Sequence, residues 1–294
     1  MKWLRSIDPV VKKETLYIGC VTLVMTTLME AVFLIIGKWD VTVLLAGLLG
    51  IGVAMAAEPD GYTLVASNPP GEQIAYLSQD PGYDMSQLTA IAGYSSDAIV
   101  LIARGDLPYE TFPELIEAYK NGDITTMGTP GKGDAGHIAV GLVKEQAGLE
   151  YKDVITYEGS SDVVAALIRK EIDVGVAPSN AITTAVADGQ VKPIMVLTSE
   201  RFPTLPDVPA YGADYGYESI DGMTILSRCL FAPPELPEEI KIYLQDVVAE
   251  AIKDPELIEW AAGRNLPIIY SNSEEAAEIL SSSLEVGASV DLES

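Results

Sequence analysis

Histidine and cysteine are almost missing from this sequence. The 294 residues include one histidine, His137, and two cysteines, Cys20 and Cys229. Cys20 lies in an apolar run and Cys229 in a predicted strand, so no disulfide framework is readable, and no Cys/His spacing suits zinc. The acids follow no calcium-loop pattern. No metal site and no cofactor are therefore expected. No serine, cysteine or acid has a spacing that ties it to His137, so neither a triad nor a Cys-His dyad can be drawn. The chain reads as a non-enzyme. Cations are also scarce, with 18 Lys and Arg against 43 Asp and Glu and a formal net charge of −25. A surface this acidic repels nucleic acid and anionic lipid headgroups, and no nucleic-acid partner is expected. Any site for an anion must be made locally, from backbone N–H groups or a single cation.

The acidity is not evenly spread. Residues 1–57 hold five basic and four acidic side chains, so residues 58–294 carry the negative charge. Leu16 to Gly37 is a 22-residue apolar run with one acid, Glu30. That length crosses a hydrocarbon core of ~30 Å as a helix. Lys12 and Lys13 precede it and favour a cytoplasmic N-terminus, and Trp39 after it suits an interface. A second run, Val41–Ala57, is rich in Ala and Gly and at the lower limit for a span. Residues 16–57 are therefore expected to meet the lipid bilayer, either as a hairpin of two spans or as one span followed by a segment packed against the domain. A cleaved signal peptide fits less well, because its apolar core is usually ~7–15 residues. No basic residue follows until Arg104, so nothing marks a cytoplasmic return. One span, with the remaining chain outside the cytoplasm, is the preferred topology.

From Pro59 the pattern becomes α/β. Strands are expected at 62–66, 91–93, 98–103, 124–128, 153–157, 173–177, 194–198 and 225–232. Helices are expected at 111–121, 135–148, 161–169, 179–188, 238–253, 255–265 and 273–289. Thr111 and Gly122 bracket the first of these helices as N-cap and C-terminal glycine. The alternation predicts parallel sheets covered by helices.

In such sheets ligands bind beyond the carboxyl ends of the strands. Three loops occupy that position. Gly128-Thr129-Pro130-Gly131-Lys132-Gly133-Asp134-Ala135-Gly136-His137 joins a strand to a helix. Its glycines allow close backbone approach, and the helix start adds a positive dipole end, so it could hold a carboxylate without a formal charge. It matches neither a Walker loop nor a dinucleotide fingerprint; a tight turn with no ligand remains the plain alternative. Gly159, Ser160 and Ser161 precede the next helix, and Ser179 and Asn180 the one after. Their hydroxyls either cap a helix or reach a ligand.

Taken in order, the motifs resemble one family. Pro59-Asp60-Gly61-Tyr62-Thr63-Leu64 resembles the PDGYTL hallmark of the solute receptors of tripartite tricarboxylate transporters. The glycine loop ending at His137, Tyr157–Ser161, Glu171–Val174, Thr198–Arg201 with Leu205–Pro209, and Ala232-Pro233 with Leu236-Pro237 are similar to further motifs of that family. The resemblance covers roughly residues 58–290. It implies an α/β, two-lobed type II periplasmic-binding-protein-like fold with an incomplete first lobe, preceded by one or two hydrophobic helices. Lobe one would be 58–103 plus 227–294, and lobe two 104–226. It implies that a small carboxylate is bound between the lobes and passed to transporter membrane subunits, with the binding domain extracytoplasmic. Site residues implied are Ser67 and Asn68 in lobe one and, in lobe two, Gly131, Lys132, Gly133, Asp134, Gly136, His137, Gly159, Ser160, Ser161, Ser179 and Asn180. The stretch that precedes the hallmark in the family has no visible counterpart, save that Gly50–Ala57 resembles the tail of its first helix. The alternative expectation is therefore a fusion with impaired binding, acting as a membrane-tethered interaction module.

Overall fold

The computed structural model describes residues 39–263 and 265–289. In chain order the elements are α1 (Trp39–Met55), β1 (Val65–Ser67), α2 (Gly71–Gln79), β2 (Thr89–Arg104), α3 (Phe112–Asn121), β3 (Thr126–Pro130), α4 (Ala135–Ala147), β4 (Asp153–Tyr157), α5 (Ser160–Ile168), β5 (Val174–Pro178), α6 (Ser179–Ala187), β6 (Val191–Val196), α7 (Asp221–Thr224), β7 (Ile225–Ala232), α8 (Glu238–Ala251), α9 (Pro255–Ala262) and α10 (Ser273–Ser289). They form two units. Unit 1 holds the described residues up to 95 together with 228–263 and 268–281; unit 2 holds 96–227, 265–267 and 282–289.

Local signals explain several boundaries. The Glu114 carboxylate accepts from the backbone N–H of Thr111 at 2.9 Å and of Glu110 at 2.8 Å, which fixes the start of α3. Gly122 ends it with φ 76°, in the left-handed region that glycine enters without cost. The Asp134 side chain caps α4 and the Asp254 side chain caps α9.

In unit 2 the strands form a mixed sheet. β3 runs parallel to β4 and to β5, whereas β2 is antiparallel to both β5 and β6. The all-parallel expectation holds for the three strands that lead into the candidate loops and not for β2. The core joins β2, β3 and β5 to the helices through Ile99, Leu101, Met127, Val174, Val176, Phe112, Leu115, Val140 and Val143. Tyr211 stacks on Tyr217 at 4.7 Å between ring centroids, and Phe112 meets Tyr215 edge-on at 5.5 Å.

In unit 1, β1 pairs antiparallel with β7 in the register Val65↔Phe231, Ala66↔Leu230, Ser67↔Cys229. Ile91, Ala92, Ala232 and Leu236 form the buried centre, and Leu64, Leu230, Ile240, Leu244 and Val248 pack on it. Cys229 is buried and free, with its thiol pushed up to about 12 by burial, so it behaves as a small apolar side chain. Cys20 lies outside the described residues.

Helix α1 gives the hairpin of two spans no support. Among the described residues no helix is long and apolar enough to cross a membrane. Leu48, Ile51 and Ala54 of α1 are buried, the Tyr83 hydroxyl donates to the Leu48 carbonyl at 2.7 Å, and the Tyr83 ring sits against Gly52. The small residues of this helix let side chains of unit 1 approach its backbone. The apolar run Leu16–Gly37 lies outside the described residues.

Two further differences have clear causes. Strands expected at 91–93 and 98–103 are one strand, because the polar residues between them are satisfied in place. Ser96 bonds Ser227 at 3.2 Å, and the Asp97 carboxylate accepts from Ser179 and Asn180. Helix α2 is absent from the sequence expectations; it follows the Pro69-Pro70 pair, and its first turn is tied through Glu72 to Ser67 of β1 and to Asn68.

Candidate functional site

The register of β3 against β4, Pro130↔Tyr157, brings the carboxyl ends of these strands level, and β5 lies on the other side of β3. The three predicted loops therefore leave one edge of the unit 2 sheet, where open α/β sheets present ligand sites. The Gly131 N–H donates to the Tyr157 carbonyl at 2.8 Å, which ties the first loop to the second.

Within the first loop, Gly131 and Gly133 take φ of 68° and 75°. A side chain at either position would be strained, so glycine is needed for the turn itself. Gly136 packs its Cα face on Pro130, where an added Cβ would lie 3.1 Å from the proline ring. The Asp134 carboxylate accepts from the His137 N–H at 2.8 Å, and the Gly133 N–H donates to His137 Nδ1 at 2.9 Å. Nδ1 is thus an acceptor and the ring proton sits on Nε2. Burial, and then the Lys132 charge, hold the imidazole below its ordinary value of 6.5, so it is neutral at pH 7. His137 offers one N–H donor, not a cation. Asp134 is occupied as a cap. Lys132 is exposed.

In the second loop, Gly159 precedes α5 with open space around it, and no side chain caps the helix. Ser160 is half-buried and Ser161 exposed. Within the first turn of α5 the Asp162 N–H donates to the Gly159 carbonyl at 3.1 Å, and no side chain supplies an acceptor at the N-cap. In the third loop the hydroxyl of Ser179 donates to Asp97 and lies 3.2 Å from the Thr204 hydroxyl. The Asn180 N–H reaches both Asp97 oxygens at 3.3 Å. Asp97 is almost fully buried, and sequence reasoning missed it because it sits inside a strand far from α6 in the chain. Its charge at the start of α6 is complementary to the helix dipole. Ser179 is thereby held as part of the structure. Among the described residues no group of three or more His, Cys, Asp or Glu could hold a metal ion.

Unit 1 contributes Ser67 and Asn68. Both are engaged by Glu72, which sequence reasoning also missed. Its carboxylate accepts from the Asn68 N–H at 2.7 Å, the Asn68 side-chain amide at 3.3 Å and the Ser67 hydroxyl at 3.5 Å. Burial raises its pKa above the ordinary 4.5, and the bonds to Asn68 and Ser67 oppose that rise. A raised folded-state value makes a stabilising contribution that is complete below the unfolded pKa and is lost as pH rises through the folded one. Glu72→Gln keeps an acceptor for Asn68 and removes the charge. The expected result is that the melting temperature of the variant, relative to wild type, climbs between pH 4 and pH 7. A flat difference across that range would show that Glu72 titrates as an ordinary carboxyl.

Residues 45–288 match the family model described as the tripartite tricarboxylate transporter family receptor. The chain belongs to this receptor family. The match opens inside α1, so it includes residues 45–57, which sequence reasoning placed in a membrane-like segment ahead of the receptor. A UPF0065 protein of Bordetella pertussis is 27% identical over 206 residues, covering 69% of this chain and 62% of the relative. The chain thus spans under two thirds of that relative's length. Among solved structures, a TctC solute binding protein from Polaromonas superposes with a TM-score of 0.72 at 20% identity, covering 83% of this chain and 82% of that one. MatC from Rhodopseudomonas palustris, with bound malate, superposes with a TM-score of 0.57 at 21% identity, covering 82% and 81%. These likenesses establish the periplasmic-binding-protein-like α/β fold.

Proposed function

We propose that this receptor binds a small carboxylate outside the cytoplasm and presents it to the membrane subunits of a tripartite tricarboxylate-type transporter, without catalysing a reaction. The observation that carries the reading is the level edge of unit 2, which carries the glycine turn at 131–133, the start of α5 without a side-chain cap and the neutral imidazole of His137. Such a surface suits a carboxylate in a chain with very few cations to spare. The malate bound by MatC supports the ligand class. Anchoring to a bilayer would fall to Leu16–Gly37.

The second reading, a membrane-tethered interaction module with impaired binding, draws on Glu72. Its carboxylate already holds the Ser67 and Asn68 donors that the family resemblance offered to the ligand. A thermal-shift and calorimetric screen of the full chain against malate, adipate, citrate and related acids separates the two. Saturable binding of one or more acids is expected. A ligand at 100 times its Kd stabilises by about 2.7 kcal/mol. The absence of any shift with all of them would overturn the receptor reading and leave the interaction module.

A further inference from the structure

Arg228 lies in the middle of β7, between Ser227 and Cys229, both fully buried, while Arg228 itself is partly exposed. Its Nη1 donates to the hydroxyl of Ser95 at 3.1 Å. Ser95 is fully buried, so that end of the guanidinium is held by a buried group of unit 1. Guanidinium carries five N–H donors in a planar fork, and this bond uses one of them.

The other described arginines are all neutralised. Arg104 lies 3.4 Å from Asp106 and 3.7 Å from Asp173, Arg169 lies 2.7 Å from Glu171, and Arg201 lies 2.8 Å from Asp214. Among the described residues Arg228 makes no ion pair. A shortage of acids cannot explain this, since they outnumber the bases 43 to 18. Nor does the nearby acid take the role. Both Glu72 and Arg228 act electrostatically on Tyr94, yet the Glu72 oxygens are bonded to Asn68 and Ser67. A half-buried cation bonded only to a neutral hydroxyl has given up hydration without recovering it in an ion pair. That arrangement is stable in an acidic protein, and useful to a receptor, when the missing partner is an anion from outside.

We infer that Arg228 is an anion-binding residue of unit 1 and takes a carboxylate of the acidic solute through its remaining N–H donors. Arginine matches a carboxylate in two parallel hydrogen bonds, which lysine cannot do. The inference rests on the carboxylate-receptor reading above. Sequence reasoning passed over it because Arg228 sits in a strand and not in a loop.

The test titrates the full-length wild type, Arg228→Gln and Arg228→Lys with malate, adipate and citrate, and with malamide as the neutral counterpart of malate. For the acid bound best by wild type, Arg228→Gln is expected to lose affinity by about 10–100-fold, the loss of a charge-assisted hydrogen bond. Arg228→Lys is expected to fall between the two. Added salt should weaken the wild type more than Arg228→Gln, and malamide should bind both alike. If Arg228 only supported the fold, salt would weaken both proteins alike and malamide would lose affinity along with the acid. Affinity of Arg228→Gln within about twofold of wild type overturns the inference while the receptor reading stands. A wild type that binds none of the acids overturns both. If Arg228→Gln does not fold, Arg228→Lys decides alone: a weakened acid with unchanged malamide supports the inference, and unchanged acid binding overturns it.

Discussion

Gly133→Val is expected to lower carboxylate affinity by tenfold or more while leaving the chain folded. Gly133 has φ of 75°. A β-branched residue there is a genuine outlier, and the left-handed conformation costs an L-residue about 1–2 kcal/mol. The loop would relieve that strain by turning the peptide, which breaks the 2.9 Å bond from the Gly133 N–H to His137 Nδ1. His137 would then lose the bond that sets its tautomer, and the N–H groups of the turn would point elsewhere. Calorimetry with the best-bound acid gives the affinity. Strain alone is controlled by Gly148→Ala, at the opposite end of α4. Gly148 has φ of 67° and nothing within 4 Å, so this variant is strained without a clash. Thirteen helical residues at 1.5 Å each put it roughly 20 Å from the loop. The control should lose a comparable amount of stability and no affinity. Equal affinity in Gly133→Val and wild type would remove the loop from the site.

That loop was legible because its chemistry is local. Four glycines between a β-rich run and an amphipathic helix can be read from spacing alone, and the observed φ values show what the glycines are for. The caps of α3 were legible for the same reason: Thr111 and Gly122 act on their immediate neighbours. Residues whose meaning depends on a distant partner were not. Asp97 sits in a Tyr-Ser-Ser-Asp tetrad that reads as a strand break, until Ser179 and Ser227 are seen to satisfy it from more than 80 residues away. Glu72 reads as one acid among many, and only its approach to Ser67 and Asn68 gives it a role. Arg228 looks like an ordinary strand residue until the ion pairs of the other arginines are set beside it. The Ala- and Gly-rich run after Trp39 has the composition of a membrane segment and of a closely packed helix alike. The side chains that choose between these, Glu72 and Tyr83, lie outside the run.

Asp97 supports the second large expected effect. Asp97→Ala should destabilise the protein by about 2–4 kcal/mol, through donors that lose their carboxylate acceptor and a small cavity at the centre of β2. The donors are the Ser179 hydroxyl and the Asn180 N–H, both at the start of α6. That helix also loses the negative charge that complements its positive end. Asp97→Asn is the informative partner: it retains a carbonyl acceptor and the side-chain volume, so its cost should be clearly smaller than that of alanine. The order alanine worse than asparagine, each with lowered melting temperature, is the expected outcome of paired thermal melts. Ser179→Ala, made in the Asp97→Ala background, should then cost less than it does in wild type, because the hydroxyl it removes has already lost its acceptor. Additive losses across that cycle would show that the Asp97–Ser179 bond contributes nothing. The third loop would then be held by other contacts, leaving Ser179 free to serve a ligand as the family resemblance implied.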